Sequence, residues 1–250
     1  MKKLFFISFI ILFSISMFSQ EERVFKKTYI QDIPLINRSD DYCGLYIIKS
    51  KLVGSIVNSE ENELVRNNFS LNDILIANFK VKIEEGDKFQ VIKPVFDREG
   101  KQVKGIFRKV GIVMVVNKKS NKVKVTNLCA DLSIGSMLIP YEEIKPYKGK
   151  SLGHYPNLHK DMFKTNGKIL FIENDIIQGT EGFKIVLEGG ENKGLVRGTQ
   201  IVFYQLTDNA NNIIYLGNAI ILCSDKNISI AKITYLKDPI YKDNFWALLK

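Results

Sequence analysis

From Cys43 onward the chain is written in short apolar or alternating runs of Val, Ile, Phe and Tyr, separated by Gly, Asn, Asp and Ser. That texture predicts many short strands, because alternate residues of a strand face opposite sides and turn residues punctuate the runs. The clear cases in the first half are "DILIANF" (Asp73 to Phe79), "KFQVIKPVF" (Lys88 to Phe96), "GIVMVV" (Gly111 to Val116) and "KVKVTN" (Lys122 to Asn127). No stretch carries a sustained helical stripe with caps. The best candidate, "EENELVRNNF" (Glu60 to Phe69), amounts to one or two turns.

The second half repeats the order of the first. "GKILFIEND" (from Gly167) parallels "GSIVNSEEN" (from Gly54), "FKIVLE" parallels "DILIANF", and "QIVFYQL" parallels "KFQVIKP". "GNAIILC" then parallels "GIVMVVN", and "NISIAKIT" parallels "NKVKVTN". Spacings agree: Gly54 to Gly86 is 32 residues and Gly167 to Gly198 is 31. Gly86 to Gly111 is 25 against 19 for Gly198 to Gly217, so the first copy has the longer hairpin, with its surplus at "FDREGKQVKG" (Phe96 to Gly105). The fold expected is all-β, two similar small antiparallel β-barrel-like units in tandem. The boundaries expected are a signal peptide over 1–20, an extended leader over 21–42, a first β unit over 43–141, a linker over 142–159 and a second β unit over 160–250.

Gly86, Gly111, Gly198 and Gly217 are read as structural turn glycines at the corners of these units, since glycine takes positive φ without a Cβ clash. A phosphate cradle would need several glycines followed by a helix, which neither copy has.

The beginning of the chain changes the picture of compartment. Lys2 and Lys3 precede an apolar core of fifteen residues, Leu4 to Phe18, with small residues at Ser14, Ser16 and Ser19. This has the form of a secretory signal peptide, short of the roughly 20 residues of a membrane-spanning helix, with cleavage expected between about residues 16 and 20. The expected location is exported, periplasmic or envelope-associated. Without the two signal lysines, 34 Lys+Arg stand against 27 Asp+Glu, a surplus of +7 spread along the chain. Its densest run, "NKKSNKVKV" from Asn117, contains Lys118 and Lys119 and reads as a solvated hairpin tip, with a patch for anionic polymers as the functional alternative. Nothing resembles a nucleic-acid motif, so no nucleic-acid partner is expected. Cys43, Cys129 and Cys223 are too few for a disulfide framework; buried free thiols are the default for each, although one pair could close in an oxidising compartment and sequence does not choose which.

Catalytic chemistry finds little footing. His154 and His159 lie five residues apart in the linker near Asp161, without zinc-type spacing to cysteine. No "GxSxG" elbow occurs, and the adjacent pairs Asp40/Asp41 and Glu84/Glu85 would point to opposite faces of a strand. No catalytic residue, metal or cofactor is therefore expected. The linker and the residue just before it do hold Tyr141, Tyr147 and Tyr155 among Lys145, Lys148 and Lys150. Tyr141, Tyr147, Tyr155, Lys145 and Lys148, with Lys118 and Lys119, form the candidate binding set, through stacking and charge. The competing reading makes the tyrosines an inter-unit seam, with Tyr141 and Tyr147 partly buried and the lysines in water.

Gly86, Asp87, Phe89, Gly111 and "LSIGSMLIP" (Leu132 to Pro140) in the first copy, with Gly194, Gly198, Gly217 and "DPIYKDNFWAL" (Asp238 to Leu248) in the second, carry a family resemblance. They resemble the duplicated β-repeat region of bacterial LysM-associated envelope proteins and the C-terminal region of flagellar assembly protein T. The second copy has Thr199 where that pattern has Asp, and no LysM-like stretch lies between residue 20 and Cys43. The resemblance implies an exported, non-enzymatic envelope protein that binds or scaffolds envelope proteins or an anionic polymer such as peptidoglycan. The alternative is a small-barrel murein-modifying enzyme, which would need a histidine and a carboxylate, or a nucleophile, in one cleft.

Overall fold

The computed structural model describes residues 33–60, 68–143, 146–149, 158–207 and 212–250. The helix candidate of the sequence lies mostly outside these residues. Two closed six-stranded antiparallel barrels make up the body of the protein, so the expected fold class holds.

The first segment supplies β1 (Ile33–Ile36), a five-residue helix α1 (Arg38–Tyr42) and β2 (Gly44–Ile47). The first barrel follows with β3 (Gly54–Ser59), β4 (Ile74–Phe79), β5 (Lys88–Phe96), β6 (Gln102–Asn117), β7 (Lys122–Leu128) and β8 (Met137–Pro140). A short β9 (Tyr147–Gly149) pairs with β1. The second barrel uses β10 (Phe163–Ile172), β12 (Lys184–Glu188), β13 (Gln200–Leu206), β14 (Ile213–Ser224), β15 (Ile228–Leu236) and β17 (Phe245–Leu249). A two-stranded piece pairs β11 (Gln178–Gly179) with β16 (Ile240–Tyr241).

Round the first barrel the order is β3-β4-β7-β6-β5-β8, and round the second it is β10-β12-β15-β14-β13-β17. The strands paired by sequence are therefore the strands that occupy the same places, with the same connections. The correspondence extends to single bonds. The Gly86 N–H donates to the Val115 carbonyl at 2.9 Å and the Gly198 N–H to the Ile221 carbonyl at 2.9 Å. Both glycines have positive φ, 92° and 88°, where a Cβ would be strained. In the same turns the Glu84 N–H donates to Asp87 Oδ2 at 2.7 Å and the Val196 N–H to Thr199 Oγ1 at 3.2 Å. Thr199 thus makes the turn bond of the Asp it replaces, as a hydroxyl does more weakly than a carboxylate.

Gly111 and Gly217 depart from the expectation of a turn: they lie inside β6 and β14. A Cβ on Gly111 would sit 2.5 Å from the Asn127 carbonyl oxygen, and one on Gly217 2.3 Å from that of Tyr235. Ladder irregularities lie beside both, so these glycines mark the sharp bends of barrel closure rather than chain reversals.

Each barrel is filled by its inward residues. Val91, Val113, Val123 and Leu138 are among those in the first, and Leu187, Phe203, Ile221 and Trp246 among those in the second. A further core lies between the barrels. It joins Leu35, Ile36, Leu45 and Ile47 of β1 and β2, Val95 and Ile106 of the β5–β6 arm, and Val186, Ile220, Leu222 and Ile230 on the outer face of the second barrel. Because neighbouring strand residues face opposite sides, β12 and β14 are apolar on both faces, one in the barrel and one in the seam. Residues 34–250 accordingly cluster as one unit. The segment read as an extended leader ends in β1 and α1, both packed into this seam.

Candidate functional site at the seam

The seam concentrates the unusual chemistry of the molecule. Asn37 caps α1, and its N–H donates to Asp40 Oδ2 at 2.9 Å. This short turn directs two carboxylates at the second barrel. Asp40 Oδ2 lies 2.7 Å from the Lys232 ammonium, and Asp40 Oδ1 4.0 Å from that of Lys184. Asp41 Oδ1 lies 2.7 Å from the Arg197 guanidinium. Lys184 also donates to the carbonyls of Asp40, at 3.2 Å, and of Cys43. Lys109, on β6, donates to the Asp41 carbonyl and holds its ammonium 4.2 Å from the centre of the Tyr46 ring.

Burial dominates the electrostatics. It pushes the Lys109 ammonium from its ordinary value down to about 8, against the pull of nearby anionic groups including Asp41. Lys184 is lowered for the same reason, with Asp40 and Glu173 opposing. Asp41 is raised by burial in spite of Arg197. Cys43, immediately after α1, is bonded to Cys129 at the end of β7, with Cα atoms 5.9 Å apart. The expectation of three free thiols is therefore corrected for this pair, which the fold brings together across 86 residues of sequence. Cys223 is the free cysteine, half-buried in the seam.

A second group of contacts sits where the long β5–β6 arm meets the turn after β10. Asn174 and Asp175 there take positive φ, 64° and 50°. The Arg98 N–H donates to Asp175 Oδ2 at 2.7 Å, Lys242 pairs with Asp175 Oδ1, and Arg108 Nη2 donates to Asn174 Oδ1 at 2.6 Å. Burial alone would raise the Asp175 carboxyl, but Lys242 and the Arg98 N–H outweigh it and hold it below its ordinary value. The extra length of the first copy's hairpin is thus an arm gripping the second barrel. Two clefts open on either side of Arg108. One, of about 400 Å³, is lined by Lys93, Phe96, Asp131 and Phe171 among others, and the other, of about 340 Å³, by Asp40, Cys43, Glu173 and Lys184. Arg108 and Asn174 line both.

The residues proposed from sequence are scattered by comparison. Tyr141 is half-buried, its N–H donating to the Lys88 carbonyl at 3.3 Å. Tyr147, in β9, is 37% exposed and lays its ring over the Gly198 turn, within 2.6 Å of where a Cβ would stand. Lys148 belongs to the same strand. Lys145, Lys150, Tyr155 and His154 lie outside the described residues. His159 is exposed and absent from the lining of both clefts. Lys118 and Lys119 occupy the β6–β7 hairpin tip, where Lys118 lies 2.5 Å from Glu84 Oε2 and Lys119 is exposed. Among the described residues no group of three or more His, Cys, Asp or Glu is arranged to hold a metal ion.

Sequence reasoning set Asp40 and Asp41 aside as neighbours on a strand, whereas they lie on α1, and it missed Lys109, Lys184 and Arg108 because each sits in a local context that reads as turn or solvated strand. The continuous apolar runs of β12 and β14 were the available signal, since a strand apolar on both faces must be covered on both. No family model matches the chain, and no curated protein matches it either.

Proposed function

We propose that this chain is an exported, non-enzymatic cell-envelope protein that binds or scaffolds envelope components. The observation that carries the reading is the seam, where a segment tied to the first barrel by the Cys43–Cys129 disulfide packs and ion-pairs against the second, so that two barrels of one design share clefts between them. A structural disulfide belongs to an oxidising compartment, in keeping with the signal-like N-terminus. Two fixed units with a shared groove suit a protein that positions a partner. The resemblance of its turn motifs to LysM-associated repeat proteins points to the same compartment, with envelope proteins or an anionic polymer such as peptidoglycan as the partner.

The test is to produce the full chain in an exporting bacterial host, fractionate the cells, and measure the mature mass and the free thiols. The expected result is a protein cut between about residues 16 and 20, carrying a single free thiol after unfolding and retained with the envelope or on purified sacculi. An uncut cytoplasmic protein with three thiols overturns the export reading. Release of soluble fragments from sacculi overturns the non-enzymatic reading in favour of a murein-modifying enzyme.

A further inference from the structure

The cleft over Arg108 has features of a site built for an anion. Arg108 sits on β6 and points into the junction of the barrels, held there by Asn174 Oδ1. Its Nε is covered and finds no hydrogen-bond partner, and no described carboxylate pairs with its charge. The carboxylates of the neighbouring cleft are engaged elsewhere: Asp40 by Lys232 and Lys184, and Glu173 Oε2 by the Lys184 N–H at 3.1 Å. Lys93 adds a second cation to the larger cleft, its ammonium reaching, among the described residues, the Asp131 carbonyl at 3.3 Å. A partly desolvated guanidinium without a counter-charge gains more from an anionic partner than one in open water.

The rest of the cleft sets apolar side chains beside the Asn174 amide and the Asp131 side chain, leaving two cations against one carboxylate, and it is open for a defined reason. β5 pairs with β8 only from Phe89 to Ile92, whereas its pairing with β6 continues to Phe96. Pro94 has no N–H with which a neighbouring strand could extend the sheet past this point, so the ladder stops there. Beyond the end of β8 lies a wall that includes Pro94 and Phe171, with Phe96 54% exposed at its lip. The volume of about 400 Å³ is within the range of small-ligand sites, roughly 300–1,000 Å³.

We infer that this cleft binds the C-terminal carboxylate of a peptide, with Arg108 and Lys93 holding the carboxylate and the Phe96 wall holding the last apolar side chain. The planar guanidinium suits a carboxylate by shape as well as charge. The exposed phenyl ring beside it favours an anion that carries an apolar group over a bare inorganic one. This deepens the envelope-binding reading and rests on it only for where the partner protein resides.

The experiment uses fluorescence anisotropy of the mature protein with N-terminally labelled pentapeptides ending in Ala, Val, Leu or Phe. Each is made as the free acid and as the amide, with inorganic phosphate as competitor. The expected result is that the apolar-ended free acids bind and their amides bind about 10-fold more weakly or worse, the loss of a charged hydrogen-bonded pair. Arg108→Gln brings the free acid down to the amide's level. Because that change also removes the Asn174 contact, Lys93→Gln is run beside it, with an expected loss of at least about 3-fold and an unchanged melting temperature, as its amine makes one carbonyl bond among the described residues. Absence of binding by every free acid, equal binding of acids and amides, or unaltered binding by both folded variants overturns the inference. Displacement by phosphate at concentrations comparable to the peptide also overturns it, leaving a general anion pocket. None of these outcomes touches export or envelope retention, which are read by fractionation.

Discussion

The Arg197 guanidinium lies 2.7 Å from the Asp41 carboxylate, tying the glycine turn that leads into β13 to the helix that precedes the first barrel. In the first copy the same turn position is Glu85, which is exposed. The repeated unit has therefore been altered at one turn residue to make a seam contact. Asp41 is mostly buried and Arg197 less so, which places the pair between the exposed and the buried regimes. Asp41→Ala is expected to cost about 1–3 kcal/mol, and the double variant with Arg197→Met less than the two single losses combined. Urea unfolding of the four proteins in the cycle measures this; additive losses would show that the pair is not coupled.

Lys109 gives the seam a pH dependence of definite sign. Its folded pKa, about 8, lies below the ordinary value of 10.5, so between the two the unfolded chain binds more protons than the folded one. Stability contributed at this site therefore rises with pH across that window, and the burial cost is fully present below it. The gain is of the order of 3 kcal/mol between pH 7.5 and 10.5. Lys184, lowered by the same cause, acts in the same direction. Tyr46, Tyr204 and Cys223 are raised by burial and act in the opposite one at alkaline pH, so the stability difference between wild type and Lys109→Met isolates the lysine. A difference that stays flat from pH 7.5 to 10.5 would refute a charged, buried Lys109.

How far the sequence reveals this fold depends on whether a feature is local. The turn glycines and the strand order were legible because Gly86 and Gly198 each set the backbone of their own turn, and equal spacing repeats them. Thr199 looked like a departure from the pattern, yet its hydroxyl serves the turn as the Asp87 carboxylate does. The seam was not legible. Asp41 and Cys43, Lys109, and Arg197 converge from three distant stretches, and an Asp in a polar leader carries no mark of burial. The longer first hairpin was visible as a surplus of residues, but its role as an arm appears only where Arg98 meets Asp175.

Gly217 separates a bend glycine from a turn glycine. A Cβ there would lie 2.3 Å from the Tyr235 carbonyl oxygen, with the backbone of Leu236 only 3.0 Å away. Neither neighbour is the flexible end of a side chain, so β14 and β15 must move apart. Gly217→Ala is expected to cost about 2 kcal/mol or more, in the range of overpacked cores. Gly86→Ala meets no atom within 4 Å and bears only the strain of its positive φ, about 1 kcal/mol. Equal melting temperatures for the two variants would contradict the close approach of the strands.

Tyr147 decides between packing and binding in the linker. Its ring covers Gly198 so closely that a methyl group there would stand 2.6 Å from one ring carbon, while more than a third of the residue remains open to solvent. Its strand, β9, pairs with β1, whose Leu35 and Ile36 lie in the seam core. The ring is thus placed to brace the second barrel's turn against the segment that closes the seam, and packing is the expected role. Tyr147→Ala should lower stability by about 1–2 kcal/mol, less than the loss of a fully buried aromatic. Gly198→Ala should be destabilised by both its positive φ and the displaced ring, and part of that second cost should vanish in the Tyr147→Ala background. Binding to sacculi or to partner proteins should be unchanged in Tyr147→Ala once it is shown to be folded. Weaker binding at unchanged melting temperature would instead make the exposed face of this ring part of a ligand surface.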